Sequence, residues 1–194
     1  MHFGRCIFAY EKGTCNFKLQ KVYKLISQGG SILASYVIAV IVGVLLLAAD
    51  QFTKYLAEMY IPLTGSGVDF IPGFIGFWRT NNGGAAWGFL DGHTWLLLSM
   101  TIVIMVICFA MLLKYGLKDK LLFWALTLVL SGGIGNLIDR IFRDGKVIDF
   151  IHLEFMEFPM FNLADCAIVI GAGLMVLYFI IDFLKETKKR KVDG

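Results

Sequence analysis

Four long apolar stretches constrain what this chain can fold into. None contains a charged residue, and they cover residues 29–49, 94–113, 121–138 and 166–181. A helix needs about 20 apolar residues to cross the roughly 30 Å hydrocarbon core of a bilayer. The last stretch reaches that length if it continues to residue 184. We therefore predict an all-α membrane protein, a four-helix bundle with spans at about 31–54, 94–113, 121–139 and 165–184.

The basic residues predict how these spans are oriented. Residues 1–28, 114–120 and 182–194 hold 13 of the 18 Lys and Arg, and the two long loops hold the other five. Positive charge is retained in the cytoplasm, so we expect both termini inside and both long loops outside. Residues 1–28 are then a basic cytoplasmic extension, residues 29–184 a single membrane domain and residues 185–194 a basic cytoplasmic tail.

Two alternatives concern the N-terminal part of the chain. Residues 16–26, "NFKLQKVYKLI", could lie on the inner leaflet as an amphipathic helix or form a solvated basic tail. Residues 1–49 could be a cleavable signal peptide, because "LLLAAD" ends in small residues. The apolar stretch is too long for that, and its removal would leave three spans with the termini on opposite sides.

Polar and charged side chains collect at the outer ends of the spans. Ten of the 15 acids lie in the outer loops, several beside apolar residues. The short stretches that contain them are "AADQFTKYL" with Asp50 and Lys54, "GNLIDR" with Asn136, Asp139 and Arg140, "KVIDFIHL" with Asp149, and "FNLAD" with Asn162 and Asp165. Ionisable residues at membrane depth are scarce, and they are usually paired or functional.

Each of these groups also has a purely structural interpretation. Asp50 and Lys54 are spaced to form an i,i+4 ion pair. Asp139 could anchor the end of the third span, and Asn136 could make a hydrogen bond between helices. These interpretations remain open when each residue is taken singly. It is their concentration at one membrane face that favours a functional site.

The two aspartates after the third span have structural interpretations as well. Asp149 could be neutralised by Lys146, and Asp165 could be a charge favoured by a helix N-terminus. Two carboxyl groups held close together can also do chemistry, because they cannot both ionise easily and their pKa values separate. One ionised carboxylate can then activate water while a protonated one polarises a peptide carbonyl.

Other catalytic chemistries have little support in the sequence. The outer loops offer only His93 and His152, without a G-x-S-x-G motif for a serine hydrolase, and there is neither an H-E-x-x-H motif nor a P-loop. The four cysteines show no metal-binding spacing. We expect no cofactor, no metal ion and no nucleic-acid partner. A small transporter or proton relay that uses the outer acids, or a scaffold in which they are structural, is the alternative function.

Five separated motifs resemble those of the lipoprotein signal peptidases, also called signal peptidase II. They are "DQFTK", "NNGGAAWG", "GNLIDR", "VIDF" and "FNLAD", within residues 45–181. The resemblance implies an outer β-cradle at about residues 60–90 and a short outer helix or loop at about residues 141–160. Residues 1–28 are longer than the segment that usually precedes the first span in this family.

The resemblance also implies roles for particular residues. Asp149 and Asp165 would be the catalytic aspartates. Four residues would line the site, namely Asn82, Asn136, Arg140 and Asn162, and three would support it, namely Asp50, Lys54 and Asp139. Asn81 competes with Asn82 for the motif position, because two glycines follow this pair of asparagines.

The implied activity is that of an aspartyl endopeptidase of the bacterial inner membrane. It would cleave a signal peptide immediately before a diacylglyceryl-modified lipobox cysteine. The implied partners are lipidated prolipoproteins, membrane lipid and cyclic-peptide inhibitors of the globomycin type, and the protein would be a monomer.

Overall fold

The computed structural model describes residues 4–64, 67–84 and 94–192, and the side chains from residue 32 onward except those of residues 117 and 192. The helices are α1 (Gly4–Tyr60), α2 (Thr94–Tyr115), α3 (Lys120–Phe142) and α4 (Leu163–Val192), with a 3₁₀ turn at Gly116–Lys118. The strands are β1 (Val68–Ile71), β2 (Ile75–Asn82) and β3 (Val147–Leu153).

Within these residues, four helical segments are long and apolar enough to cross a membrane: Ile32–Tyr60, Thr94–Tyr115, Lys120–Phe142 and Leu163–Lys191. This confirms the predicted four-span fold class. The chain divides into two compact units. The first is Met1–Val40, whose described part is helical, and the second, Ile41–Gly194, contains everything discussed below. Residues 16–26 have a helical backbone, and their side chains lie outside the described part of the chain.

Helix α3 is the most buried of the four spans and packs against both α2 and α4. Small residues allow its close approach to α4. A Cβ at Gly132 would collide with the Ala164 carbonyl oxygen, and a Cβ at Gly171 would lie 2.7 Å from the Ala125 carbonyl oxygen. Without a hydrophobic force between helices in lipid, such close backbone packing is a main source of helix association.

The three strands form an antiparallel sheet in the order β1-β2-β3. In the register between β2 and β3, Thr80 faces Asp149 and Asn82 faces Val147. The part of the predicted cradle that the structure describes is therefore a sheet, and it includes a third strand from later in the chain; residues 65, 66 and 85–90 of the predicted range lie outside the described residues. Residues 141–160, for which we expected a short helix or loop, contain that strand. Its β-branched and aromatic residues pair with the free edge of β2, and its first four residues are buried.

Two contacts attach the sheet to the end of α1. Ala57 packs in a buried cluster with Ile148 and Phe150. The Arg79 guanidinium donates through one nitrogen to the carbonyl oxygens of Glu58, at 2.9 Å, and Ile61, at 3.4 Å. These carbonyls belong to a helix end, where the backbone acceptors have no intrahelical donor. The sheet is thereby held beside the polar end of α1.

Candidate active site

Asp149 lies in the buried half of β3, and its side chain is held by two amides. Asn82 Nδ2 donates to Oδ2 over 2.9 Å, and Asn162 Nδ2 donates to Oδ1 over 2.6 Å. The residue is only 2% exposed. Burial raises the pKa of Asp149 to about 6, and the charge of Asp165 adds to the rise, whereas the two amide hydrogen bonds oppose it. The ionised and protonated forms are therefore both accessible near neutral pH.

The pairing of β2 with β3 decides between the two neighbouring asparagines of β2. Successive side chains of a strand point to opposite faces of the sheet. Asn82 points to the face of Asp149 and contacts it, whereas Asn81 is exposed. Lys146, which we considered as a counter-ion, forms no ion pair with Asp149 within the described side chains.

Asp165 lies in the first turn of α4 and forms a reciprocal cap with Asn162. The Asp165 backbone N–H donates to Asn162 Oδ1 over 2.9 Å, and the Asn162 backbone N–H donates to Asp165 Oδ2 over 3.1 Å. This is the geometry of a capping box, with Asn at the N-cap and Asp three residues later. The sequence pattern that begins α4 thus also fixes the Asp165 carboxylate.

Asn162 brings the two aspartates together. Its side-chain amide donates to Asp149 while its side-chain oxygen and backbone N–H engage Asp165. Its side chain is completely buried and is not among the residues that line the cavity described below, whereas the resemblance implied that Asn162 would line the site. The local structure of one residue therefore sets the relative position of a strand carboxylate and a helix carboxylate.

Lys54 lies at the centre of a second buried cluster. Its ammonium group is 2.9 Å from Asp50 Oδ2, 2.8 Å from Asp139 Oδ2 and 3.0 Å from Asn136 Oδ1. The side chain is fully buried, and all three N–H donors have acceptors. A buried charge is tolerated only when it is paired and hydrogen-bonded in this way. The i,i+4 pair of Asp50 and Lys54 that we considered is confirmed, and it is part of a larger network.

The two carboxylates that flank Lys54 also hold backbone groups of other elements. Asp50 Oδ1 accepts from the Ala164 backbone N–H at the start of α4, over 2.9 Å. Asp139 Oδ2 accepts from the Ile148 backbone N–H in β3, over 3.4 Å. The ends of α1, α3, β3 and α4 are therefore joined by this cluster.

Asn136 connects the cluster to the candidate catalytic pair. Its Oδ1 accepts from Lys54, and its Nδ2 donates to Asp165 Oδ1 over 2.7 Å. The structural interpretation of Asn136 as a helix–helix hydrogen bond is therefore correct as well, since it links α3 to α1 and to α4.

Gln51 is a network residue that our interpretation of the sequence did not select. Its side-chain N–H group lies 3.2 Å from Asp50 Oδ2, from Asp139 Oδ1 and from the Gly135 carbonyl oxygen. Gln51 was not selected because its amide is neutral and the candidate residues were chosen mainly for their charge. Its place inside the "DQFTK" motif was the available signal.

A cavity of about 500 Å³ opens onto the two aspartates. Its polar end is formed by Asn82, Asn136, Arg140, Asp149 and Asp165. Its apolar wall is formed by Phe158, Pro159, Met160, Phe161, Val169 and Ile170, together with Cys166. The segment "FPMF" was not among the predicted site residues, because an apolar loop carries no chemical signal of its own.

Arg140 is the cation among the residues that line this cavity. Its Nε is buried without a hydrogen-bond partner among the described residues. A guanidinium beside two carboxylates offers donors to a carbonyl oxygen that enters the cavity. In the described part of the chain, no group of three or more His, Cys, Asp or Glu side chains is arranged to hold a metal ion.

The structure is that of a multi-span membrane protein with two buried carboxylates at one cavity, and comparisons with known proteins name the family. Residues 41–181 match the family model of signal peptidase (SPase) II. The chain belongs to this family and is a hydrolase of the signal peptidase II type. It is accordingly a bacterial membrane protein, and the resemblance seen in the sequence is confirmed.

Individual relatives agree with the family model. The chain is 38% identical over 146 residues to a lipoprotein signal peptidase of Enterococcus faecalis, covering 75% of this chain and 89% of that protein. It is 39% identical over 151 residues to the lipoprotein signal peptidase of Bacillus pumilus, covering 77% and 96%. A bacterial membrane enzyme solved by the in meso method superposes with a TM-score of 0.70 at 30% identity, covering 75% of this chain and 89% of that one. These similarities favour a peptidase over the transporter or scaffold alternatives.

Proposed function

We propose that this enzyme removes the signal peptide from diacylglyceryl-modified prolipoproteins, and that it cuts immediately before the lipidated cysteine. Asp149 and Asp165 are the catalytic dyad in this proposal. The observation that carries it is that both carboxylates line one cavity and share contacts with the buried Asn162 behind them. The names of the relatives support the substrate class.

The chemistry follows from having one proton for two carboxyl groups. The ionised member accepts a proton from water as the water oxygen attacks the scissile carbonyl carbon. The protonated member donates to the carbonyl oxygen. The carbonyl carbon becomes tetrahedral, and the resulting intermediate carries two hydroxyl groups. As this intermediate collapses, the C–N bond breaks and the amine of the lipidated cysteine leaves with the proton that the dyad took from water. One hydroxyl of the intermediate gives its proton to the other carboxylate as the new carboxyl group forms, so the dyad again holds one proton. Because the pair titrates as a unit, the proton belongs to the dyad rather than to a named member.

The surrounding polar residues hold the reacting groups in place. Asn82, Asn136 and Asn162 each donate an amide N–H to a carboxylate oxygen. Arg140 lines the same cavity, and we assign it to carbonyl oxygens of the substrate backbone. The supporting residues are Asp50, Lys54 and Asp139, and none of them lines the cavity. Fixing groups before the reaction lowers the reorganisation needed in the transition state.

The apolar wall suits a substrate that remains in the bilayer. Phe158, Met160 and Ile170 face the same cavity as the aspartates. A signal helix and two acyl chains can remain in apolar surroundings while the scissile peptide reaches the polar end. The distribution of Lys and Arg supports cytoplasmic termini and a site at the outer face. We further propose that the enzyme works as a monomer and that globomycin-type cyclic peptides occupy the cavity.

Cleavage of a synthetic lipidated precursor by the purified enzyme tests this proposal. We expect Asp149→Asn and Asp165→Asn each to fold and to lose at least about 10³-fold in kcat, as loss of a catalytic group does elsewhere. The non-lipidated precursor is the matched substrate control and should be cut far more slowly. Full activity of either variant would remove the dyad assignment. Equal rates on the two precursors would remove the substrate assignment.

A further inference from the structure

Three asparagine side chains turn their NH₂ groups toward the two aspartates. Asn82 and Asn162 donate to Asp149, and Asn136 donates to Asp165. The oxygen and nitrogen of an amide have nearly the same shape, so a flipped side chain would fit the same space. A flip would place an amide oxygen against a carboxylate oxygen and would repel the carboxylate. Something must therefore hold each amide in the productive orientation.

In two of the three cases a backbone N–H holds the amide oxygen. The Gly84 backbone N–H donates to Asn82 Oδ1 over 2.9 Å, and the Asp165 backbone N–H donates to Asn162 Oδ1 over the same distance. If either amide flipped, its NH₂ group would face the backbone N–H. That asparagine would then lose both its hydrogen bond from the backbone and its hydrogen bond to Asp149. Only a substitution to proline would remove either of these backbone N–H groups, and it would also restrain the local backbone.

For Asn136 the corresponding donor is a side chain. Lys54 Nζ lies 3.0 Å from Asn136 Oδ1, and an ammonium group can only donate. The atom of Asn136 that faces Lys54 must be oxygen, so the atom that faces Asp165 must be nitrogen. Asn162 Nδ2 also approaches Asn136 Oδ1, at 3.2 Å, but its shorter hydrogen bond, 2.6 Å, goes to Asp149.

We propose that Lys54 is a positioning residue that acts on catalysis through Asn136, by fixing the amide orientation that presents an N–H to Asp165. This role is additional to its ion pairs with Asp50 and Asp139. It rests on the proposed dyad, which the two Asp→Asn variants test separately. The proposal predicts that Lys54 affects the chemical step far more than substrate binding, because it does not line the cavity.

A double-mutant cycle with Lys54→Met and Asn136→Ala tests this route, with kcat and KM measured on the lipidated precursor. We expect Lys54→Met to lower kcat about 10- to 100-fold, as a slight misplacement of catalytic groups does, and to change KM no more than about twofold. In the Asn136→Ala background, Lys54→Met should lower kcat less than about twofold further. Equal losses in both backgrounds would overturn the proposal, because Lys54 would then act without Asn136.

A matched control separates positioning from stability. Gln51 contacts the same two carboxylates as Lys54 and, among the described side chains, makes no hydrogen bond to Asn136. Gln51→Met should therefore lower the Tm of the detergent-solubilised enzyme without the selective loss of kcat. A loss of kcat equal to that of Lys54→Met at a similar Tm would assign Lys54 to structure and overturn the proposal.

Lys54→Met leaves the buried Asp50 without an ion pair among the described residues and leaves Asp139 only the longer contact to Arg143, so the single variant could fail to fold. The cycle is then run in an Asp139→Asn background, which removes one of the two charges and keeps the shape of the side chain. Asn136 and Asp165 are untouched by that change. If Lys54→Met does not fold in this background either, Lys54 serves the fold alone and the proposal is overturned.

Discussion

The Asn162 side chain lies 2.6 Å from Asp149, in a position that the capping of α4 fixes. The same residue begins a membrane helix and holds a carboxylate on a strand. Its two tasks use different atoms, since Oδ1 serves the cap and Nδ2 serves Asp149. They can therefore be separated by substitution.

Replacing Asn162 with Ser should separate stability from activity. Serine is an N-cap residue as good as asparagine, and both Asn162→Ser and Asn162→Ala lose the buried amide donor. Because only serine keeps the cap, Asn162→Ser should be about 1 kcal/mol more stable than Asn162→Ala. Neither variant has the N–H donor to Asp149, so both should lose about 10²-fold in kcat. Thermal unfolding in detergent and cleavage of the lipidated precursor give the two measurements. Wild-type kcat in Asn162→Ser would show that the amide donor is dispensable.

The raised pKa of Asp149 predicts how stability depends on pH. Burial raises this pKa to about 6, above the unfolded value, so the folded protein binds the proton more tightly. The resulting stabilisation is complete below about pH 4 and is lost as the pH rises through about 6. Relative to Asp149→Asn, the wild type should lose about 2 kcal/mol of unfolding free energy between pH 4 and pH 7.

Parallel unfolding of the wild type and Asp149→Asn across this pH range measures the effect. The comparison cancels the titrating groups that do not interact with Asp149. Asp165 does interact with it, so the difference reports the titration of the two aspartates together. A difference between them that stays constant from pH 4 to pH 7 would contradict the raised pKa.

The two adjacent asparagines of β2 provide a matched pair. Asn82→Ala removes a donor from Asp149 and should lower kcat about 10- to 100-fold. Asn81→Ala changes an exposed side chain on the opposite face, so its kcat and Tm should match those of the wild type. The kcat of each variant is measured as the rate of precursor cleavage at saturating substrate and is compared with that of the wild type. The reverse order of effects would mean that β2 is shifted by one residue relative to β3.

Gly135 tests the packing around Asp50. A Cβ at this position would lie 2.7 Å from Asp50 Oδ2 and 3.2 Å from the Ala164 Cβ, so Gly135→Ala must displace the carboxylate that Lys54 holds. We expect it to cost about 1–3 kcal/mol of stability, as overpacking does, and to reduce kcat.

Gly173→Ala is the control for the Gly135 substitution. Gly173 lies in α4, and an added Cβ would have no described atom within 4 Å beyond the adjoining backbone of its own helix, so the Tm should not fall. Both variants are compared by thermal unfolding and precursor cleavage. If Gly135→Ala were as stable and active as Gly173→Ala, Asp50 would not need its present position.

Features that depend on local sequence could be predicted without the structure. Apolar length indicated the four spans, and charge within the motifs pointed to Asp149, Asp165 and the Lys54 cluster. The reciprocal cap of Asn162 and Asp165 is also local, since the two residues are three apart in "FNLAD". The dipole interpretation of Asp165 was correct in placing it in the first turn of α4.

Features that depend on contacts between distant segments could not be predicted in this way. The strand character of residues 147–153 depends on pairing with β2, which is more than 60 residues earlier. The choice between Asn81 and Asn82 depends on the same pairing, because a shift of one residue reverses the faces. Gln51 was missed because its role depends on a hydrogen bond to Asp139, 88 residues later. The wall segment "FPMF" was missed because apolar side chains do not indicate a site until the cavity is seen.

The arrangement of ion pairs bears on how the protein is assembled in the bilayer. Lys54 has a carboxylate of its own helix one turn earlier, Asp50, and Asp139 likewise has Arg143 one turn later. Lys54 and Asp139 can therefore each be paired with a counter-ion from the same segment before α1 and α3 pack together. Docking of α3 against α1 then adds the contact between Lys54 and Asp139, two charges that each already have a counter-ion one turn away in their own segment. The helices can thus be inserted in the order in which they are synthesised, because the pairing of Lys54 and of Asp139 does not have to wait for a later helix.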